Sequence, residues 1–585
     1  MLKFISRAGK YKWLIVLMLF TVALNALADC LIPGQLGEVI YHLQNINSTV
    51  DGVQINIVTV VIDCGWMLIY AALSGVSAIA TCKIASIVTA HIVSVSRYQI
   101  FKKVTQFSIK EMNDFSVTSL VTRCTNDLTF VGDTLNLFFR YILYGPLQAL
   151  FALVLLIKEQ IWYLTFAVLG ALILMIVVIV IVIAVVMPKY QKIQARLDDV
   201  SLVTRENLEG LRVVRAYHAE DYQQEKFSKL NTLLLKTERF SNRGLGVLIP
   251  SIQVIIGLLN VAIYLIGSYM VEGAMLNYSG VSIVIQYAAL ILVGFVMVIA
   301  VVIQLPRCVV CMKRVNDVID TQQSVVGKEE TPITDEVGTI EFKNVSFKYP
   351  GAENPVLSNI SFKVKKGETI AFIGATGAGK TTLINLLPRL FDATEGEVLV
   401  DGVNVKDYKT EDLNAKFGYV PQKGYLFHDS LLNNITLGKP DANTIQIKRA
   451  LDIAQAADFV NGLPNTINYE ISQGGKNVSG GQRQRLCIAR AIIMDPEIFI
   501  FDDSFSALDY KTDKVLRGEI KKQCQGVTNV IVAQRVGTIM DADQIIVLDN
   551  GKAVGIGTHK ELLKKCSVYK EIALSQLSKE ELENA

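Results

Sequence analysis

The stretch GATGAGKTT at residues 374–382 decides the fold of the second half of the chain. It follows the apolar segment IAFI at 370–373 and leads into TLINLL at 382–387, which has a helical pattern. A strand, a glycine-rich turn and a helix in this order predict a phosphate-binding loop, whose backbone N–H groups surround phosphate oxygens at the helix N-terminus. Lys380 would contact the β and γ phosphates, and Thr381 would offer its hydroxyl to Mg²⁺.

A second buried strand is predicted by the segment IFIF at residues 498–501. Asp502 follows at its carboxyl end, where ligands of open α/β sheets collect, and we expect it to hold Mg²⁺ through water. The polar residues 321–336 predict a linker, because they include Gly327 and Pro332. The sequence therefore predicts a nucleotide-binding domain over residues 337–585.

The first half of the chain is a candidate membrane domain, over residues 1–320. Six apolar runs are long enough to cross a bilayer, and they cover residues 13–31, 55–80, 135–157, 161–187, 245–270 and 281–305. These spans exclude a soluble ATPase. The formal net charge of the whole chain is only +3, which does not favour nucleic acid as a partner. Nine cysteines without regular spacing indicate free thiols rather than a disulfide framework.

Basic residues orient these spans. The loops at 35–53 and 271–279 contain no Lys or Arg, whereas the segment 82–134 contains six and the segment 188–243 contains eleven. The positive-inside rule therefore places both termini and both long segments in the cytoplasm. Helical periodicity continues through both segments. We expect the two cytoplasmic turns near residues 113–120 and 211–220.

Three ionisable residues within the spans are candidates for a translocation pathway: Asp29, Asp63 and Arg140. A charged group at membrane depth is costly and usually faces a bundle interior or a watery cavity. An alternative stays open for Asp29 and Asp63, because both could lie near the outer interface within reach of water.

Three further motifs accompany the phosphate loop. NVSGGQRQRL at residues 477–486 precedes FIFDD at 499–503, and SALD at 506–509 follows it. Together, these motifs resemble the nucleotide-binding domain of ATP-binding cassette (ABC) proteins, and the whole chain is similar to a half-transporter of the ABC exporter family. The resemblance implies an α-helical membrane domain of six transmembrane helices with long cytoplasmic extensions, fused to an α/β P-loop nucleotide-binding domain with a helical subdomain.

The resemblance assigns roles to matching positions, and it implies that the cytoplasmic segments near 113–120 and 211–220 couple the membrane domain to the nucleotide domain. Tyr349 corresponds to the aromatic residue that stacks on adenine, and Gln422 to the residue that joins Mg²⁺ to the transmembrane interface. Residues 479–481 correspond to the signature that caps ATP on the opposite subunit, and Asp509 to the loop at the dimer seam. The implied metal-binding residues are Thr381, Gln422 and Asp502. The implied nucleotide-binding residues are Tyr349, Gly374, Ala375, Thr376, Gly377, Ala378, Gly379, Lys380, Thr381, Thr382, Ser479, Gly480, Gly481, Gln482 and Asp509.

Two departures from the family pattern fall on one predicted site. Members that hydrolyse ATP rapidly carry a glutamate base where this chain has Asp503, and a histidine that contacts the γ-phosphate where it has Gln534. Removing one methylene retracts the carboxylate by on the order of 1 Å, which can cost about a hundredfold in rate. Gln534 cannot supply the charge of an imidazolium. We predict that Asp503, Gln534 and Gln422 form a degenerate catalytic site that binds ATP and Mg²⁺ but hydrolyses ATP slowly.

This prediction favours a heterodimeric exporter in the cell membrane, paired with a second half-transporter that carries the glutamate and the histidine. The expected cargo is an amphipathic or drug-like molecule moved out of the cytoplasm. Four alternatives stay open. They are a slow homodimer in which Asp503 still acts as the base, a homodimeric lipid or peptide exporter, a regulatory ATP-sensing membrane subunit, and an ATP-gated channel.

Overall fold

The computed structural model describes residues 2–46, 49–50, 53–54, 57–159, 161–273 and 275–576. It divides into two compact units. The first comprises Met1–Lys103 and Thr118–Asp320, and the second comprises Val104–Val117 and Thr321–Ala585. Ile55, the start of the second predicted span, lies outside the described residues.

Helices dominate the chain up to residue 320. They are α1 (Leu2–Ser6), α2 (Lys12–Gln44), α3 (Ile57–Val104), α4 (Ile109–Phe115), α5 (Val117–Thr122), α6 (Leu128–Tyr141), α7 (Tyr144–Lys158), α8 (Trp162–Glu209), α9 (Leu211–Ala216), α10 (Glu220–Glu272) and α11 (Tyr278–Asp320). Two-residue strands β1 (Thr49–Val50) and β2 (Val53–Gln54) pair antiparallel between α2 and α3.

The six predicted spans are confirmed. The helical stretches long and apolar enough to cross a membrane are Gly9–Gln44, Ile57–Val104, Val117–Lys158, Trp162–Val186, Glu220–Glu272 and Tyr278–Asp320. Large apolar side chains on their outer faces are exposed, as at Leu68 with 73% exposure, and this surface suits lipid rather than water.

The third span is interrupted. Helix α6 ends at Tyr141 and α7 begins at Tyr144, and Pro146 follows in the first turn of α7. The interruption has a local cause, because proline has no N–H to donate to the carbonyl of residue 142 and its ring crowds that carbonyl. Helix α7 also packs closely against α11. A Cβ at Gly145 would collide with the Gly294 carbonyl.

Short helices occur near both predicted cytoplasmic turns. In the second unit, α4 begins at Ile109, before the predicted turn at 113–120, and ends beside Ser116, which adopts a left-handed φ of +58°. Ile109 packs against the core of that unit. In the first unit, α9 covers Leu211–Ala216, within the predicted segment 211–220. Coupling by these segments stays a prediction.

The second unit contains a six-stranded sheet and a four-stranded antiparallel sheet. The strands are β3 (Ile340–Phe347), β4 (Leu357–Val364), β5 (Thr369–Gly374), β6 (Glu395–Val400), β7 (Val403–Asn404), β8 (Phe417–Val420), β9 (Asp429–Ser430), β10 (Glu470–Ile471), β11 (Ile498–Asp502), β12 (Thr528–Val532), β13 (Gln544–Asp549) and β14 (Lys552–Gly557). The six-stranded order is β14-β13-β5-β12-β11-β8, with β14 antiparallel to β13 and the other pairs parallel.

The helices of this unit are α12 (Lys380–Ile384), α13 (Thr410–Ala415), α14 (Leu431–Ile435), α15 (Thr444–Ile453), α16 (Ala457–Asn461), α17 (Gly480–Ile493), α18 (Tyr510–Gln523), α19 (Val536–Ile539), α20 (His559–Lys565) and α21 (Ser567–Gln576). Helices α14–α17 lie between β8 and β11 in the chain and share a buried core with the sheet. The predicted linker at 321–336 is fixed to this unit by hydrogen bonds from Lys328 N to Tyr408 O (3.1 Å) and from Thr334 Oγ1 to Asp401 O (2.7 Å).

Parallel strands explain where the predicted nucleotide residues meet. Strands β5, β12, β11 and β8 are neighbours and point the same way, so their carboxyl ends lie along one edge. The phosphate loop follows β5, Gln534 follows β12, Asp503 follows β11 and Gln422 follows β8. Segments distant in the sequence therefore supply one site.

Candidate nucleotide-binding site

The phosphate loop joins β5 to α12. Gly377 and Gly379 adopt φ of +86° and +96°, in the left-handed region that glycine enters without steric cost. At Gly379 a Cβ would also lie 2.7 Å from Cδ2 of Leu357, so the position has no room for a larger residue. The glycines of the motif are therefore required by the backbone path.

The ammonium of Lys380 lies inside the curve of this loop. Its Nζ donates to the carbonyl oxygens of Gly374 (2.7 Å) and Ala375 (2.8 Å). Burial lowers the pKa of Lys380, and the neighbouring carboxylates of Asp503 and Asp502 act in the opposite direction. A point charge is thus held where phosphate groups would bind.

Thr381 and Asp502, the predicted metal-binding pair, are in direct contact. The Thr381 hydroxyl donates to Oδ1 of Asp502 over 3.0 Å. Asp502 is only 3% exposed, and this burial raises its pKa. The hydrogen bond from Thr381 opposes that shift, whereas repulsion from Asp503 adds to it. A hydroxyl and a carboxylate beside the phosphate loop form the oxygen-rich set that Mg²⁺ prefers, so the residues fit this ion.

Asp503 is the point on which two glutamines converge. Its Oδ2 accepts a hydrogen bond from Nε2 of Gln422 (3.1 Å) and another from Nε2 of Gln534 (2.8 Å). Asp503 is 6% exposed and has a left-handed φ of +45°. The three residues predicted to form the catalytic group are therefore assembled in one cluster.

Gln576, in the last turn of α21, was not predicted from the sequence. Its Nε2 donates to the backbone carbonyl of Gln534 (2.8 Å), and its Oε1 accepts from the backbone N–H of Val536 (2.8 Å). One side chain thus holds the backbone on both sides of Arg535. No local pattern points to this role, because the contact spans 42 residues of sequence.

Tyr349 lies beside the helix that follows the phosphate loop. Its hydroxyl is 3.0 Å from the Thr382 hydroxyl, and its ring meets those of Phe347 and Phe391 edge-on at 4.9 and 5.3 Å. These neighbours fix the ring next to the loop. Stacking on adenine stays a prediction.

The hydrogen bonds of the signature residues are separate from those around Asp503. The Ser479 hydroxyl accepts from Gln482 N (3.3 Å) and Gln482 Oε1 accepts from Ser479 N (2.9 Å), which caps α17. Gly480 and Gly481 form its first turn. Asp509 caps α18 by accepting from Thr512 N, which lowers the pKa of Asp509. Within the described part of the chain, no hydrogen bond joins the signature to the phosphate loop.

Comparison with known families accounts for both units. Residues 15–312 match the family described as ABC transporter transmembrane region, and residues 357–506 match the family described as ABC transporter. The chain belongs to the ABC transporter family. Its single nucleotide domain follows six apolar helices, which is the arrangement of an exporter-type half-transporter.

Several relatives of this ABC transporter share most of its length. An uncharacterized ABC transporter ATP-binding protein of Mycobacterium tuberculosis is 34% identical over 82% of the chain and 83% of the relative, and YfiB of Bacillus subtilis is 33% identical over 83% and 84%. A putative multidrug export ATP-binding/permease protein of Staphylococcus aureus is 33% identical over 64% and 65%. A bacterial Atm1-family ABC exporter with ATP bound shares the fold, with a TM-score of 0.79, 22% identity, and coverage of 97% of this chain and 98% of that one.

The structure separates the three membrane candidates of this ABC transporter. Asp63 Oδ2 lies 2.6 Å from Nδ1 of His42, and Asp63 Oδ1 accepts from Gln35 Nε2 over 3.2 Å. Arg140 lies over the ring of Tyr141 at 5.0 Å and donates to its hydroxyl. Asp29 instead contacts uncharged polar groups, the hydroxyls of Ser74 and Tyr144.

Proposed function

We propose that this ABC transporter is one subunit of a heterodimeric exporter, and that its own phosphate loop forms a degenerate, slowly hydrolysing ATP site. The observation that carries this proposal is the convergence of Gln422 and Gln534 on Oδ2 of Asp503. A general base must offer a lone pair to the proton of the attacking water. In this cluster, two amide donors occupy Oδ2 of Asp503, which leaves Oδ1 to accept that proton.

The side chain of Gln534 supports the same conclusion. Phosphoryl transfer depends on positioning and on electrostatic stabilisation of the transferring group. A neutral amide supplies less stabilisation than an imidazolium, and this amide is turned toward Asp503. The shorter side chain of Asp503 also retracts the carboxylate by about 1 Å. A displacement of that size can lower the rate of hydrolysis about a hundredfold.

The groups that would bind nucleotide are intact. Lys380 would contact the β and γ phosphates, Thr381 and Asp502 would hold Mg²⁺ with Gln422, and Tyr349 would stack on adenine. Bound Mg²⁺ neutralises charge on the phosphates. This combination supports a site that binds ATP firmly and cleaves it slowly.

The partner follows from the intact signature. Ser479 and Gln482 cap α17 reciprocally, and Gly480 is exposed in its first turn, at the end of a helix that attracts anions. We infer that this end, together with Asp509, completes a competent ATP site on a second half-transporter that carries the glutamate and the histidine. Hydrolysis at that site would reset the pump.

Cargo and location complete the proposal. The relative in Staphylococcus aureus is named as a putative multidrug exporter, and this supports amphipathic, drug-like substrates for the present chain. The protein would be a multi-pass component of the cell membrane. The distribution of Lys and Arg supports cytoplasmic termini and a cytoplasmic nucleotide domain over residues 337–585.

The test is ATPase activity of the purified chain alone and after co-purification with its partner half-transporter. The proposal expects negligible turnover alone and rapid turnover with the partner. Rapid turnover of the chain alone would replace it with a homodimeric exporter. ATP-dependent, uphill uptake into inverted vesicles would separate a pump from a regulatory subunit or an ATP-gated channel, neither of which accumulates substrate.

A further inference from the structure

The carboxylate of Asp29 lies near the middle of α2 and has hydrogen-bond donors from two other helices. Its Oδ1 accepts from the Ser74 hydroxyl of α3 (2.5 Å), and its Oδ2 accepts from the Tyr144 hydroxyl of α7 (2.6 Å). Three helices thus contribute to one polar cluster within the apolar part of the first unit. An intramembrane ionisable residue of this kind is a functional-site candidate.

Charge distinguishes Asp29 from the other two candidates. Asp63 already has His42 at 2.6 Å, and Arg140 already lies over Tyr141. Across the residues that the structure describes, no Lys, Arg or His comes within ion-pair distance of Asp29. Buried or membrane-embedded charges are normally paired, and the carboxyl group of Asp29 lacks such a protein countercharge.

The surrounding groups are rich in acceptors. The Ser74 hydroxyl also lies 3.1 Å from Oδ1 of Asn25. Its single proton is therefore shared between two acceptors, Asn25 and Asp29. Gln148 is 2% exposed and donates through Nε2 to the Tyr144 hydroxyl (3.1 Å). Its Oε1 has no hydrogen-bond partner within the described residues. A buried acceptor without a donor is costly, and a ligand that carries donors would relieve part of this shortage.

The break between α6 and α7 lies close to Tyr144 in the sequence and leaves a backbone carbonyl without its helical donor. Pro146 cannot donate to the carbonyl of Ile142, two residues before Tyr144. Irregular backbone at membrane depth is tolerated where it is buried in protein or lines a cavity. The carbonyl of Ile142 thus lacks its usual helical donor, and Tyr144, which contacts Asp29, follows it by two residues.

We propose that Asp29, with Asn25, Ser74, Tyr144 and Gln148, binds the positively charged group of an organic cation that this exporter transports. The carboxylate supplies the countercharge, and the surrounding oxygens accept hydrogen bonds from N–H groups of the cation. This proposal rests on the proposed export function for its physiological meaning. Binding itself depends on neither the partner nor the ATP site.

The experiment measures equilibrium binding of ethidium, a planar cation with amino donors, by fluorescence anisotropy to the full chain in lipid nanodiscs without nucleotide. Asp29→Asn should weaken ethidium binding by about ten- to a hundredfold, the loss expected for one charge-assisted contact. Asp29→Glu should restore most of the affinity. Glu38→Gln, at an exposed position of α2, is the matched control and should bind ethidium as the unmodified chain does.

A neutral amphiphile, N-phenylnaphthylamine, provides the second measurement. Its binding should be unchanged in Asp29→Asn, which would show that the membrane domain remains folded. Equal ethidium affinity in Asp29→Asn and the unmodified chain would overturn the proposal, and so would parallel loss of both probes. Because no ATP is present, these outcomes are independent of ATPase results that test the heterodimer.

Discussion

Nε2 of Gln534 lies 2.8 Å from Oδ2 of Asp503 and donates a hydrogen bond to it. The two residues follow neighbouring parallel strands, β12 and β11, so their closeness is a consequence of sheet order. The amide thus contacts the residue that we predict to stand at the position of the catalytic base. The two departures from the family pattern are therefore joined physically, and we expect them to act as a pair.

The first prediction concerns this pair. Asp503→Glu together with Gln534→His should raise hydrolysis at this chain's site by about a hundredfold, because the longer arm recovers about 1 Å of reach and the imidazole can carry charge. Steady-state ATPase of the variant, alone and with its partner, measures the effect. Asp441→Glu, at an exposed position, serves as the control. Unchanged turnover in the double variant would mean that other residues limit the site.

Gln576 is predicted to position Gln534. Gln576→Ala removes two hydrogen bonds to the backbone at Gln534 and Val536, which contribute about 1 kcal/mol each. Hydrogen exchange at the Val536 amide should accelerate by about tenfold or more. Ser575→Ala is the control, since among residues 2–576 that the structure describes the Ser575 hydroxyl bonds to the carbonyl of Ile572 in its own helix. Equal exchange rates in both variants would argue against a positioning role.

Lys380 should dominate the affinity for nucleotide. Lys380→Ala removes a charge-assisted contact to phosphate, so binding of a fluorescent ATP analogue should weaken by about ten- to a hundredfold. Lys552→Ala, on the edge strand β14, should bind the analogue normally. Preserved affinity in Lys380→Ala would contradict the assignment of the phosphate loop.

Lys416 provides a stability prediction. Its Nζ contacts the fully buried Asp401 (2.7 Å) and Glu497 (2.9 Å). Burial acts to lower the pKa of Lys416, but these hydrogen bonds outweigh it, and the pKa is raised above 10.5. The stabilisation is therefore complete below pH 10.5 and is lost as the pH rises through the raised pKa.

Lys416→Met leaves Asp401 buried without its cation. We expect the free energy of unfolding at pH 7 to fall by about 3–5 kcal/mol. Thermal unfolding of the full chain in detergent, compared with the exposed control Lys448→Met, measures this change. The difference in stability between Lys416→Met and Lys448→Met should shrink above pH 10.5. There Lys416 loses its proton where it is still present, and with it the attraction to Asp401. A constant difference would show that packing, not charge, accounts for it.

Much of the fold was predictable because its signals are local. The six spans are long apolar runs, and the phosphate loop is a contiguous motif whose glycines are required by the backbone. The buried strand β11 followed from IFIF and ends at Asp502, as expected. Such features depend on neighbouring residues, so sequence patterns suffice to find them.

The rest of the site depends on long-range geometry. The contact of Gln576 with Gln534 crosses 42 positions, and the convergence of Gln422 and Gln534 on one oxygen requires the strand order. The sequence also could not separate Asp29 from Asp63, because the decisive difference is the position of His42 in space. Side-chain direction is set by packing across elements rather than by motif.

The most direct test of the central claim uses 8-azido-ATP labelled with ³²P at the γ-phosphate, photo-crosslinked to the co-purified dimer during turnover. Label on this chain reports uncleaved triphosphate at its own phosphate loop. The account predicts that this chain retains the γ-label while the partner loses it. Loss of the label from both chains at the same rate would contradict a degenerate site.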